Sequence, residues 1–253
     1  IRLVIVAITV IGFLILSIPI LFVEWIIGKF SPRTKEISSL RIIQAVFKFI
    51  LWEAGTKVTI SVKKMSQKTH QSFILVITEA TLTLYFPTVA ARSVPVILQR
   101  KKWNDIRFFQ LDALSALPVS GSKDIKQGLK TILTAIEKIK SGISICIFPE
   151  GTRNKNKDEL ELLPFHEGSF KIASKSGCAI IPMAMNNTAE IFEAHMPKIK
   201  STHVVLEYGK PIYVKELSKE DQKHLGTYTQ NIIYEMLEKN KSLDKKGIIN
   251  TEI

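Results

Sequence analysis

The residue types best suited to ligand chemistry occur in one run, Phe148-Pro149-Glu150-Gly151-Thr152-Arg153. An apolar stretch ends at a proline and is followed by a carboxylate, a glycine, a hydroxyl and a guanidinium. Arg153 offers a planar fork that matches a phosphate, Thr152 adds a hydroxyl, and Gly151 lets the backbone approach a ligand closely. An ordinary strand-to-loop turn with solvated Glu150 and Arg153 is the alternative interpretation. The run therefore raises the hypothesis of a phosphate-binding loop.

Motifs that would assign other chemistry are absent from the sequence. It contains no G-x-S-x-G elbow, no Walker loop, no G-x-G-x-x-G and no Cys/His spacing typical of metal ligands. Its basic residues are not interleaved with aromatic residues in the pattern typical of RNA binding. The sequence therefore gives no support to four classes of function or site: a serine hydrolase, an NTPase, a dinucleotide enzyme and a structural zinc site.

The elements that must position this loop follow from the hydrophobic pattern. Strands or buried apolar runs are expected over residues 58–62, 73–77, 144–148, 179–185 and 204–208. Helices are expected over residues 124–141, 168–176 and 218–241, and the last dozen residues are expected to form a solvated tail. Strands alternating with helices indicate an α/β sheet packed by helices, in which ligand sites lie at the carboxyl ends of strands.

The helix over residues 124–141 is strongly amphipathic. Asp124 is its expected N-cap, and Gly142 follows its end. Its expected apolar face consists of Ile125, Leu129, Ile132, Leu133, Ile136 and Ile139.

The N-terminal segment predicts a membrane helix. Residues 3–23 carry no charge and span roughly the 30 Å hydrocarbon core of a bilayer as a helix. A helix lying in one leaflet is the alternative, whereas a signal peptide has a shorter apolar region and a cleavage site that do not match. Only Arg2 precedes the span, and several basic residues follow it. These are Lys29, Arg33, Lys35, Arg41 and Lys48. This bias predicts that the C-terminal bulk lies on the cytoplasmic face.

Composition narrows the class of partner. Lys and Arg number 35 against 23 Asp and Glu, and the net charge of +12 favours nucleic acid, acidic lipid or a phosphorylated substrate. The apolar and charged fractions are near globular averages, which excludes a disordered or collagen-like chain. Cys146 and Cys178 lie in apolar runs, so we expect two buried free thiols and a reducing compartment.

Three blocks in order carry a resemblance to a known family. The run over 148–153 (FPEGTR) is followed by 163–173 (LPFHEGSFKIA) and by 180–183 (IIPM). Their order and spacing resemble the 1-acyl-sn-glycerol-3-phosphate acyltransferases of the glycerolipid acyltransferase family. The likeness is close from about residue 124 to residue 213. It implies a mixed α/β sheet flanked by helices, with an N-terminal membrane helix.

The resemblance also implies an activity. A fatty acyl group would pass from an acyl thioester, of coenzyme A or acyl-carrier protein, to the free hydroxyl of lysophosphatidate, giving phosphatidate for phospholipid synthesis. His70 would remove the hydroxyl proton, as a general base does. Arg153, with Lys171, would hold the phosphate, while Glu150 and Thr152 would position the glycerol. We expect no metal or cofactor, because the thioester is already activated. Membrane lipid is an expected partner and nucleic acid is not.

The domain organisation follows from the same patterns. We expect a membrane anchor over residues 1–28 and an amphipathic interfacial or packing helix over 29–56. An acyltransferase-like α/β domain should follow over 57–215, and a C-terminal helix and tail over 216–253.

The stretch from residue 63 to residue 123 departs from the family pattern. The family's first motif has an Asp five residues after the His, and that Asp orients the imidazole. Here Thr69 and His70 open the motif and Leu75 occupies the Asp position. If this segment were helical, Glu79 would lie one turn beyond Leu75, about 5.4 Å further along the helix axis. That is an awkward reach for a carboxylate that must orient the imidazole of His70. Gly121 stands where an Arg would help to bind phosphate.

Three classes of function follow from these observations. The first is an active membrane-anchored acyltransferase, and the second is a catalytically impaired relative that binds phospholipid at the membrane. The third, a membrane-tethered nucleic-acid binder, rests on net charge alone. A divergent or inactivated site, or a sequence not faithfully recorded over residues 63–123, would each produce the observed departures.

Overall fold

The computed structural model of the protein describes residues 2–62, 73–77, 108–110, 122–142, 144–152, 154, 156 and 158–245. The helices in this part of the chain are α1 (Arg2–Phe30), α2 (Pro32–Glu53), α3 (Ser122–Lys140), α4 (Glu167–Ser176), α5 (Lys219–Lys223) and α6 (Leu225–Lys245). The strands are β1 (Lys57–Val62), β2 (Phe73–Ile77), β3 (Phe108–Gln110), β4 (Ser144–Ile147), β5 (Ala179–Asn186) and β6 (His203–Tyr208).

The six strands form one mixed sheet in the order β1-β6-β5-β2-β4-β3. Strand β2 runs parallel to both β4 and β5, β3 is parallel to β4, and β1 is parallel to β6. Only the β5–β6 pair among these is antiparallel. The ends of β2, β4 and β5 therefore share one edge of the sheet with the beginnings of β1 and β6. We call it the carboxyl edge. The mixed α/β fold predicted from the sequence is confirmed.

The core lies on both faces of the sheet. Alternate residues of β4 point to opposite faces, so Ile145 and Ile147 pack against α3, α4 and α6. Cys146 and Phe148 belong to a second cluster on the other face, which the end of α2 covers through Leu51. The loops at the carboxyl edge therefore rest on a sheet whose central strands are buried.

Helices α1 and α2 pack against each other in antiparallel directions. Thr9 Oγ1 donates to Glu53 Oε1 (2.9 Å) near one end of the pair. Near the other end, Ser38 Oγ and Ser39 Oγ donate to the buried carboxylate of Glu24 (2.5 and 2.8 Å). Among the described residues, α1 is the one helix long and apolar enough to cross a membrane, and most of its large apolar side chains are exposed. The length and exposed apolar surface of α1 agree with a membrane contact, whether the helix spans the bilayer or lies in one leaflet.

The apolar face predicted for α3 is wrong at two positions. Leu129 and Leu133 are 53% and 48% exposed, whereas Ile132, Ile136 and Ile139 are buried with Ala135. The buried stripe thus follows the i, i+3, i+4, i+7 spacing that starts at Ile132 and leaves the two leucines on its flank.

Two helix boundaries also differ from the prediction. Helix α3 begins at Ser122, so Asp124 lies inside the helix and is not its N-cap. The single helix expected over residues 218–241 is divided into α5 and α6, because His224 leaves helical geometry at φ −115° and ψ 44°. Ser218 caps the first of the two helices by accepting from the Asp221 N–H (3.1 Å).

Candidate active site

The loop after β4, residues 149–163, lies at the carboxyl edge and is called the motif loop below. Its two ends are held together. Glu150 is only 2% exposed, and its Oε2 accepts from the Leu163 N–H (3.2 Å). The His166 N–H donates to the Pro149 carbonyl (2.8 Å). The first two of the three sequence blocks that carried the family resemblance are therefore in direct contact.

Gly151 makes the tight turn at the start of the motif loop. Its φ is +67°, in the left-handed region that favours glycine. A Cβ added there would lie 3.0 Å from Cδ2 and 3.1 Å from Nε2 of His166. Both the backbone geometry and the neighbouring imidazole ring therefore require a glycine at this position.

The middle of the motif loop folds back on itself. The side-chain amides of Asn154 and Asn156 both donate to the Glu161 carbonyl (2.7 and 2.9 Å). The Asn156 N–H in turn donates to Asn154 Oδ1 (2.9 Å). These bonds form a compact turn directly after Thr152, the exposed hydroxyl of the candidate site.

The segment that follows the motif loop is anchored on α6. The Glu167 carboxylate accepts from the Gly226 N–H (3.0 and 2.9 Å to its two oxygens) and from the Thr227 N–H (3.3 Å). These N–H groups are among those that a helix start leaves without intrahelical partners, and a negative charge there is favourable. Gln230 Nε2 adds a bond to the Leu163 carbonyl (3.0 Å). The sequence did not indicate this role for Glu167.

A cavity of about 370 Å³ opens beside the motif loop. Most of the residues that line it are of polar or charged types, and they come from the motif loop, the end of β5, the turns after it and α6. The lining residues are Glu150, Asn154, Asn156, Asp158, Glu159, Leu162, Met185, Asn187, Thr188, Ala189, Glu190, Glu193 and Lys241. Within the described ranges, no group of three or more His, Cys, Asp or Glu side chains is arranged to hold a metal ion. The sequence pattern did not reveal this cavity.

The structure brings together only part of the predicted site. Glu150, Gly151 and Thr152 lie on the motif loop, and Lys171 is exposed on α4. The predicted base His70 and the predicted phosphate ligand Arg153 lie outside the described residues, as do Glu79 and Gly121.

Strand β2 bears on the role predicted for His70. Phe73 begins this strand and pairs with Ala179, the first residue of β5, at the edge opposite the motif loop. The three residues from His70 to Phe73 span at most about 10 Å. Leu75 lies in the middle of β2, paired with Cys146 on one side and Ile181 on the other. Because residues 73–77 are extended, the helical geometry considered for Leu75 and Glu79 does not hold in this part of the segment.

Comparison with known proteins agrees with this architecture. Residues 65–186 match the family model described as Acyltransferase. A crystal structure of the 1-acyl-sn-glycerophosphate acyltransferase from Thermotoga maritima has a similar fold, with a TM-score of 0.63 and 18% identity. The alignment covers 94% of this chain and 97% of that one. Residues 65–186 are therefore similar to the acyltransferase family, and the whole chain shares the fold of that solved structure.

Several proteins with sequences similar to this chain carry one name. The chain is 27% identical to the 1-acyl-sn-glycerol-3-phosphate acyltransferase of Borreliella burgdorferi, over 79% of each protein. It is 33% identical to the Salmonella typhimurium and Escherichia coli proteins of the same name, over 42% of this chain and 40% of theirs. The chain thus matches about two fifths of these last relatives' length. The resemblance predicted from the sequence is confirmed.

Proposed function

We propose that the chain transfers a fatty acyl group from an acyl thioester to the free hydroxyl of lysophosphatidate, which yields phosphatidate. The motif loop carries the proposal. Its buried Glu150 and the contact between Gly151 and His166 preorganise the turn that presents Thr152 at the carboxyl edge. The activity in the names of the similar proteins supports the same reaction.

The proposed reaction forms an ester and breaks a thioester. The acceptor oxygen attacks the thioester carbonyl carbon, His70 takes the hydroxyl proton, and the departing thiolate is protonated. Arg153 and Lys171 hold the acceptor phosphate, while Thr152 and Glu150 position the glycerol. Coenzyme A or acyl-carrier protein serves as the thiol carrier, and the residues need no metal or further cofactor.

The same proposal assigns the chain to a membrane, with the α/β domain on the cytoplasmic face. The exposed apolar side chains of α1 support a lipid contact. At the end of this helix the Lys29 Nζ lies 3.9 Å from the centre of the Trp25 ring. Trp and Lys are typical of a membrane–water boundary. Because α2 runs back along α1 and brings Glu53 beside Thr9, the α/β domain begins near the start of α1, and this hairpin supports the alternative in which α1 lies in one leaflet.

Two observations favour the second candidate, an impaired relative that binds phospholipid. Leu75 occupies the place of the motif Asp and lies in the central strand β2. The strand after His70 also begins at the edge opposite the motif loop. An imidazole without an orienting carboxylate is a weaker base, so this candidate predicts lipid binding with little turnover.

Phosphatidate formation by the purified chain, in detergent or lipid vesicles, separates the two candidates. The reaction contains lysophosphatidate and either acyl-coenzyme A or acyl-carrier protein, with His70→Ala as the comparison. We expect phosphatidate from the wild type and little from the variant. If the wild type makes no more phosphatidate than His70→Ala, the enzyme proposal fails. Retained binding of lysophosphatidate vesicles would then support the impaired relative.

The phosphate assignment has its own test. Arg153→Ala should raise the KM for lysophosphatidate on the order of ten- to a hundred-fold, because a charge-assisted contact is lost. Arg153→Lys should restore only part, because an ammonium cannot present the planar fork. The KM for the thioester should change little, and Lys155→Ala serves as the charge-matched control. An effect confined to the thioester KM would contradict the assignment.

A further inference from the structure

We propose that Glu159 is a positioning residue that fixes the motif loop for binding of the acceptor phosphate, an inference that rests on the proposed function. The Glu159 carboxylate uses both of its oxygens. Oε1 accepts from Asn186 Nδ2 and Oε2 from the Asn187 N–H, each at 2.8 Å. Glu159 thereby joins the motif loop to the end of β5, 27 and 28 positions further along the chain.

The two donors are themselves held by other elements. Asn186 is fully buried, and its Nδ2 also donates to the Leu237 carbonyl on α6 (3.0 Å). Asn187 has a φ of +65°, which Asn tolerates better than most residues. Its side-chain amide donates to the His203 carbonyl (3.0 Å) and to Asp244 Oδ2 (2.9 Å). The carboxylate of Glu159 is therefore bound to a fixed point of the domain.

The motif loop has few other attachments of this kind. Within the described residues 154, 156 and 158–161, hydrogen bonds to the rest of the domain come from Asp158 and Glu159. Asp158 Oδ1 accepts from Lys241 Nζ (2.7 Å), but both side chains are substantially exposed, at 46% and 31%. Exposed ion pairs contribute little to stability. The Glu159 contacts are stronger because a carboxylate accepts from a buried amide and a backbone N–H.

The position of these attachments suggests a consequence for binding. The turn of Asn154 and Asn156 lies between Thr152 and the anchored residue Glu159 in the sequence. Without this anchor, this part of the loop would sample more conformations. Binding of the phosphate would then have to order the loop, and the free energy of this ordering would lower the affinity for the acceptor. Glu159 is not expected to act on the reacting atoms. Its loss should therefore raise the KM for the acceptor and leave kcat nearly unchanged.

Glu159→Gln tests this with a matched control in the same loop. The variant keeps the side-chain length, but its amide N–H₂ faces one of the two donors, Asn186 Nδ2 or the Asn187 N–H, and cannot accept from it. Glu161→Gln removes the same charge from an exposed side chain that makes no hydrogen bond among the described residues, and it leaves the Glu161 backbone carbonyl in place. Two measurements are made on the full chain: amide hydrogen exchange of peptides covering residues 150–163, and steady-state kinetics with each substrate varied.

We expect Glu159→Gln to speed exchange in these peptides and to raise the lysophosphatidate KM about tenfold, with kcat within twofold. Glu161→Gln should match the wild type in both. Unchanged exchange in Glu159→Gln overturns the inference, and so does a fall in kcat alone, which indicates only a smaller folded fraction. If the wild type has no acyltransferase activity, the proposed function fails separately. Exchange and the affinity for lysophosphatidate vesicles then decide whether Glu159 orders the loop for phosphate binding.

Discussion

The imidazole ring of His166 lies directly against the Gly151 backbone, with its Cδ2 only 3.0 Å from the point where a Cβ would stand. This contact joins the turn after β4 to the start of α4. The glycine is therefore required both by its positive φ and by its neighbour.

Gly151→Ala should lower the free energy of unfolding by about 1–3 kcal/mol, because the left-handed backbone and the ring contact both oppose a methyl group. The activity should fall by more than the loss of folded protein accounts for, because the turn presents Thr152. Gly168→Ala is the matched control: Gly168 lies in α4, and a Cβ there would meet nothing within 4 Å. Denaturant unfolding and phosphatidate formation measure the two effects. Equal tolerance of both substitutions would contradict the structural role of Gly151.

Glu167→Gln should weaken the attachment of the motif segment to α6. The substitution removes the charge that faces the first N–H groups of this helix and leaves one acceptor oxygen for Gly226 and Thr227. We expect a loss of about 1–2 kcal/mol in unfolding free energy. Glu235→Gln, on the exposed side of the same helix, should change stability by less than about 0.5 kcal/mol. Thermal unfolding of the two variants compares them, and similar midpoints would argue against the capping role.

The ion pairs that two lysines of α6 make, Lys239 with Glu207 and Lys241 with Asp158, should differ in strength. Lys239 Nζ lies 3.1 Å from Glu207 Oε1, and the Glu207 side chain is only 1% exposed. Lys239→Met would leave a buried carboxylate without this ammonium and should cost about 2–4 kcal/mol. Lys241→Met removes the ammonium from the exposed Asp158 and should cost less than about 1 kcal/mol. Denaturant midpoints test the ranking, and a larger loss for Lys241→Met would reverse it.

Local patterns were sufficient to predict much of this fold. The apolar runs over 144–148 and 179–185 correspond to β4 and β5, because a buried strand shows itself in consecutive residues. The run from Glu150 to Thr152 was also correctly expected at a strand end, since a proline and a glycine mark the turn.

Contacts between distant segments were not predictable in the same way. Glu159 binds Asn186 and Glu167 binds Gly226, across 27 and 59 positions of the chain. Neither pair leaves a periodic or compositional signal, because the spacing between partners depends on the strand order and not on local propensity. The break at His224 was missed for a different reason: residues 218–224 contain no apolar residue, so no apolar pattern marks where the first helix ends.

Two ionisable groups in the core should make stability depend on alkaline pH. Burial raises the pKa of the Cys146 thiol far above its ordinary value of 9.0. Burial, and then the neighbouring Cys146, raise the pKa of the Tyr208 hydroxyl above its ordinary value of 10.0. Both groups therefore keep their protons in the folded chain at pH values where the unfolded chain loses them.

The free energy of unfolding should accordingly be unaffected by these groups below about pH 8.5 and should decrease above about pH 9. The sign follows because the folded state then binds more protons than the unfolded state, and each such group contributes a slope of at most about 1.4 kcal/mol per pH unit. Cys146→Ala should reduce the slope that begins near pH 9 and leave the part from Tyr208, which begins near pH 10. Denaturant unfolding followed by circular dichroism at several pH values measures this dependence of stability on pH.

As a direct check, iodoacetamide at pH 8 should label Cys146 only in the unfolded chain, because the thiolate is the reactive form. Rapid labelling of the folded protein, or the same slope in Cys146→Ala as in the wild type, would show that the thiol is not protected in this way.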